Sequence, residues 1–92
     1  MNRLVYTKAA VEDLQRLRAF MAEHDPHSAA RVAAELVRRI QKLREFPRMG
    51  RPVTEAPDPE MVRDMVFGRY VVRYALPEED AVREELVVIL RV

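Results

Sequence analysis

The dipeptide Asp25-Pro26 constrains this chain more than any other feature. It falls between two stretches in which apolar residues recur at three- and four-residue steps, the spacing of an amphipathic helix. In the first, Ala10, Leu14, Leu17 and Met21 form a stripe that Val11 and Phe20 broaden. In the second, the stripe is Ala29, Val32, Ala33, Leu36, Val37, Ile40 and Leu43, with the arginines mainly on the other side. A residue before proline avoids helical geometry, so the first helix should stop near His24. Asp25 then caps the second helix and Pro26 takes its first position. Thr7 is placed to cap the first helix, with Glu12 and Asp13 in its first turns, where the helix dipole favours negative charge. So short a connection makes the pair an antiparallel hairpin. Neither stripe is covered by the other helix alone, and a sheet must cover both.

The rest of the chain supplies that sheet. Arg3 to Tyr6 is short and β-prone. Phe46 to Glu60 is punctuated by Pro47, Gly50, Pro52, Pro57 and Pro59 and reads as an ordered turn followed by a looser loop. Met61 to Phe67 reads as a strand, and Gly68-Arg69 as a tight turn. Arg69 to Leu76 alternates, with Tyr70, Val72, Tyr74 and Leu76 on one face and Val71, Arg73 and Ala75 on the other. Pro77 to Asp80 is expected to be a hairpin loop. Glu85 to Val92 is apolar on both faces until Arg91, the pattern of a central strand. Gly50 and Gly68 are both assigned to turns needing positive φ. The expected fold is α+β: an N-terminal strand, a helical hairpin, then an antiparallel sheet of about three further strands.

Ninety-two residues, 49% of them hydrophobic, make one domain, residues 1–92, with a modest core. There is no cysteine, so disulfides and thiolate metal sites are excluded, which fits a reducing cytoplasm. The N-terminus MNRLVYTKAA lacks the apolar run of a signal peptide, and no stretch has the length of a membrane span. The net charge of +1 is unevenly spread. Residues 1–25 are net 0, residues 26–51 net +5 and residues 52–92 net −4. A basic middle can steer an acidic partner.

The candidate chemistry is sparse. RNA cleavage needs a base, an acid and cations on the phosphate. The two histidines, His24 and His27, flank the proline turn, where a solvated loop is the plainer reading than catalysis or metal binding. The acidic runs Glu78-Glu79-Asp80 and Glu84-Glu85 read as hairpin solubility. No loop has the glycines of a phosphate cradle, and no cofactor or metal is expected. Arg63, Arg69 and Arg73 fall on the strand pair and Arg91 near the end of the last strand. On a simple hairpin register Arg63 and Arg73 share a face. These four arginines either hold a phosphate or an acidic protein patch, or form a solvent face paired with Asp64, Glu84 and Glu85. The helix arginines are likewise either a solvated face or a nucleic-acid contact. Tyr70 and Tyr74 read as core with hydroxyls at the edge, against a base-stacking alternative.

The opening LVYTKAAVEDLQRL, the helix exit FPRMGRPV, the strand pair VRDMVFGRYVVRY and the closing LVVILRV, in this order and spacing, resemble the ParE/RelE superfamily of bacterial type II toxins, and within it the ParE-like, plasmid-stabilisation branch. The resemblance implies a helical hairpin packed on a twisted antiparallel sheet. It also implies a cognate antitoxin, ParD-like and DNA-binding, that wraps the toxin into a hetero-oligomer. Val11, Leu14, Phe20, Met21, Val37 and Ile40 are the residues expected to receive it. ParE-like members poison DNA gyrase, whereas RelE-like members cut mRNA in the ribosome. The RelE-like pattern has an arginine after the first strand tyrosine, where this chain has Val71. The expectation is therefore a non-catalytic topoisomerase inhibitor, with a ribosome-dependent endonuclease and an inactive antitoxin-binding module as alternatives.

Overall fold

The computed structural model describes residues 2–77 and 86–92. Strand β1 (Arg3–Tyr6) leads into helix α1 (Lys8–His24) and helix α2 (Pro26–Gln41), and a single 3-10 turn (Lys42–Arg44) follows. Strands β2 (Arg51–Pro52), β3 (Val62–Phe67), β4 (Tyr70–Ala75) and β5 (Leu86–Arg91) complete the order. Both caps are where the sequence puts them. The Thr7 hydroxyl accepts from the Ala10 N–H at 3.0 Å, and the Asp25 carboxylate accepts from the Ser28 N–H at 3.3 Å with Pro26 opening α2. The second stripe outlasts its α-helix. Leu43, fully buried, sits in the 3-10 turn.

The five strands form one sheet in the order β1-β5-β4-β3-β2. β5 is internal, as its two-sided apolarity requires. The hairpin strands run antiparallel, but β1 pairs with β5 in parallel, Leu4 opposite Val87 and Tyr6 opposite Ile89, so the sheet is mixed. β2 lies inside the segment expected to be a turn. Its two residues pair with Asp64 and Arg63 at the edge of the sheet. The expected loop beyond Pro77, the carboxylates Glu84 and Glu85, and the expected first residue of the last strand lie outside the described residues.

The core lies between the hairpin and one face of the sheet. Leu36, Ile40 and Leu43 meet Val72, Tyr74, Val87 and Ile89, all essentially inaccessible to solvent. Two expectations change here. Gly68 has φ +59° in the β3–β4 turn, as anticipated, but Gly50 has no positive φ. Glycine is required at position 50 by close approach: a Cβ there would stand 2.6 Å from the Tyr74 hydroxyl and 2.8 Å from the Asp64 carbonyl oxygen. Asp13, expected beside the helix dipole, falls past the first turn and is turned inward, 6% exposed. Among the described residues no helix is long and apolar enough to cross a membrane.

Candidate functional site

The register of the β3–β4 ladder separates the arginines that the sequence brings together. Arg63 stands opposite Tyr74, and Asp64 opposite Arg73. Residues directly opposite share a face, so Arg63 and Arg73 lie on opposite faces of the sheet. The expected shared face fails because parity along the chain does not carry across the turn. What sets the face is the pairing across a two-residue turn.

Each arginine has its own partner. Arg63 is buried on the helix side, at 7% exposure. Its guanidinium donates to the Glu60 carboxylate at 2.7 Å and to the carbonyls of Gly50 at 2.8 Å and Arg48 at 3.3 Å. Arg73 makes a two-pronged pair with Asp64, at 2.9 and 3.0 Å, on the helix-free face. Arg91 makes a second such pair with Asp13 of α1, at 2.8 and 2.9 Å. Asp13 also accepts from the Val92 N–H at 3.0 Å. The Arg91 hydrogen bonds, with that N–H, hold the Asp13 carboxyl below its ordinary value, and the same pairing raises the Arg91 guanidinium. Asp64 raises Arg73 likewise. Arg73 and Arg91 are register partners across β4–β5, at an irregularity in the ladder, and each is neutralised by a carboxylate from a different element. Arg69 is exposed in the turn and makes no ion pair among the described residues. The four arginines therefore do not converge on one phosphate-sized point.

The tyrosines follow the core reading. Tyr74 is fully buried, and its hydroxyl donates to the Pro47 carbonyl at 2.7 Å and accepts from the Gly50 N–H at 2.9 Å. Burial pushes that phenol above its ordinary value. Tyr70 packs at the margin of the core beside Phe67, ring centroids 6.5 Å apart. His24 and His27 are exposed at the hairpin connection. The His24 ring stacks on Phe20 at 4.0 Å, and no group of three potential metal ligands occurs among the described residues.

One concave apolar surface lies on the hairpin. A groove of about 300 Å³ runs between α1 and α2 above the end of β1, lined by Tyr6, Val11, Leu14, Met21, Leu36 and Val37 among others. Val11 and Val37 are 42% and 37% exposed at its rim, and Met21 is buried in it. Four of the six residues expected to receive a partner thus line one groove. The other two do not. Phe20, 54% exposed, is not part of the lining and stacks on His24. Ile40 is fully buried in the core and presents nothing to a partner. Sequence reasoning missed Asp13 as the anchor of Arg91. The signal was there, since position 13 is three residues past Ala10 and falls on the buried stripe, where a carboxylate needs a cation.

A helical hairpin laid over one face of a mixed sheet, with β1 paired in parallel to the last strand, is the RelE/ParE-like fold. The family described as ParE toxin of type II toxin-antitoxin system, parDE, matches residues 4–92, and the chain belongs to it. A solved chain described as the chromosomal ParDE TA system from P. aeruginosa superimposes with a TM-score of 0.75. It is 20% identical, and the match covers 99% of this chain and 92% of that one, a likeness of fold. No curated protein matches. Family membership brings with it the expectation of a cognate antitoxin.

Proposed function

We propose that this chain acts in the cytoplasm by inhibiting a DNA topoisomerase, gyrase first, holding the enzyme in its cleaved-DNA state without bond chemistry of its own. The observation that carries this reading is the separate engagement of Arg63, Arg73 and Arg91 with Glu60, Asp64 and Asp13. A phosphodiester-cleaving site needs cations and a base aimed at one phosphate. The strand cations are divided between two faces, the histidines sit at the hairpin connection, and the Tyr74 hydroxyl is occupied and harder to ionise than usual. Such a surface is suited to gripping a macromolecule, with Arg69, Arg73 and Arg91 as the accessible cations.

In this reading the antitoxin is ParD-like, and an amphipathic segment of it lies in the α1–α2 groove, its apolar side chains on Val11, Leu14, Met21 and Val37. The test is direct. Folded, purified protein added to gyrase and supercoiled plasmid should accumulate linear DNA. Absence of linear product at micromolar protein contradicts the proposal. Codon-linked cuts in translating mRNA would replace it with a ribosome-dependent endonuclease. Normal growth on expression without antitoxin would replace it with an inactive antitoxin-binding module.

A further inference from the structure

Just past α2 the chain turns two large apolar side chains to solvent. Phe46 is 58% exposed and Met49 45%. With Lys42, Pro47 and Arg48 they line an open hollow of about 520 Å³ that shares no residue with the α1–α2 groove. The loop that carries them is fastened from beneath. Tyr74 holds the Pro47 carbonyl and the Gly50 N–H, and Arg63 holds the carbonyls of Arg48 and Gly50. Above these, the Phe46 N–H donates to the Lys42 carbonyl at 2.9 Å and the Met49 N–H to the Phe46 carbonyl at 3.1 Å. A loop ordered in this way has little further freedom to lose on binding, so its exposed apolar side chains are presented ready for contact. The surrounding charge is one-sided. Along residues 42–51, Lys42, Arg44, Arg48 and Arg51 are exposed beside one carboxylate, Glu45, within the segment that is net +5.

We infer that this hollow is a second docking surface, whose occupant is an acidic protein segment. The segment inserts an apolar side chain between Phe46 and Met49 and sets its carboxylates against Lys42 and Arg48. The inference goes beyond the topoisomerase reading and does not depend on it. Shape favours a protein segment over nucleic acid. Phe46, Pro47 and Met49 make a concave apolar bed with cations at its rim, whereas single-strand binding uses ring faces strung along a cationic groove.

The methionine methyls supply the test, because Met49 lines the hollow and Met21 lines the groove. The full chain, labelled at its methionine methyls, is titrated with a short peptide carrying a central Phe-Leu pair flanked by Asp and Glu. Parallel titrations use the same peptide with Lys in place of the acids, and a short oligothymidylate. The acidic peptide should move the Met49 signal and leave Met21 in place. Combining Lys42→Glu with Phe46→Ala, both at exposed side chains, should weaken binding about tenfold or more. The inference is overturned if the acidic peptide leaves Met49 unmoved, if the basic peptide binds as well, if only the oligothymidylate moves Met49, or if the double variant binds with unchanged affinity.

Discussion

Arg63 and Tyr74 stand opposite each other across the β3–β4 ladder, and together they hold the Pro47, Arg48 and Gly50 carbonyls and the Gly50 N–H of a single loop. Two side chains that begin in the sheet thus do the work that regular secondary structure would do for the Phe46–Gly50 main chain. Buried main-chain polar groups need partners, and a loop that crosses the end of the core cannot take all of them from water. Arg63 is paired there with Glu60 at the rim, at 2.7 Å. Only its Nε lacks a partner among the buried side-chain atoms described.

Tyr74→Phe tests this directly. It keeps the ring and removes the hydroxyl, leaving the Gly50 N–H without its acceptor. The expected loss is about 1–3 kcal/mol of unfolding free energy, from a shifted urea midpoint with an unchanged slope. The pH dependence has a fixed sign. Burial raises the Tyr74 phenol above its ordinary value. Its contribution is therefore complete below the unfolded value near 10 and is lost as pH rises through the folded one. The gap between wild type and Tyr74→Phe should be constant at neutral pH and narrow only in strong alkali.

Gly50→Ala should be worse than the loss of the hydroxyl. The added methyl meets Tyr74 and the Asp64 carbonyl oxygen, all closer than 3 Å. Overpacking of this kind costs about 1–3 kcal/mol and more where backbone must move. Combining it with Tyr74→Phe should recover only part of the loss, because the Asp64 main chain and the ring carbon remain in the way. Full recovery in the double variant, measured by urea unfolding, would place the clash on the hydroxyl alone.

Asp13 links the last strand to the first helix, and its removal should be felt mainly at neutral pH. Hydrogen bonds from Arg91 and from the Val92 main chain hold its carboxyl below the ordinary carboxylate value. The stabilisation is present above that ordinary value, about 4, and is lost as pH falls through the lower folded one. Asp13→Asn should therefore unfold at lower urea than wild type at pH 7. The two should converge in acid. A gap that stays constant into strong acid would show that the charge of Asp13 contributes nothing.

The helical hairpin and the β3–β4 pair were legible because they depend on local rules. Thr7 and Asp25-Pro26 fix helix starts through capping and φ, and the two-residue turn at Gly68-Arg69 fixes a hairpin. What was not legible depends on contacts distant in sequence. Whether β1 joins β5 in parallel is decided by where α1 and α2 return the chain, and no residue in Arg3–Tyr6 encodes it. The face of Arg63 follows from register with Tyr74, and the role of Gly50 from a tyrosine twenty-four residues away. The groove was half legible for the same reason. Periodicity identifies the stripes that hold Val11, Leu14 and Met21 on α1 and Val37 and Ile40 on α2, but it cannot say which of these residues the sheet covers.

Val11 and Ile40 separate the exposed from the covered part of those stripes experimentally. Val11 is 42% exposed at the groove rim, so Val11→Glu leaves the core intact and should unfold within experimental error of wild type. A partner helix seated in the groove would have to bury the new carboxylate. Losing the apolar contact alone is worth about 1.5 kcal/mol or more, a tenfold weakening of antitoxin binding or greater. Ile40 is fully buried, and Ile40→Ala should behave in the opposite way. It should cost about 2–5 kcal/mol of stability through the cavity it leaves. Any loss of antitoxin binding should follow the fraction unfolded. Titration calorimetry with the antitoxin, paired with urea unfolding of each variant, distinguishes the two. If Val11→Glu binds antitoxin as wild type does, the groove between the helices is not where the antitoxin sits.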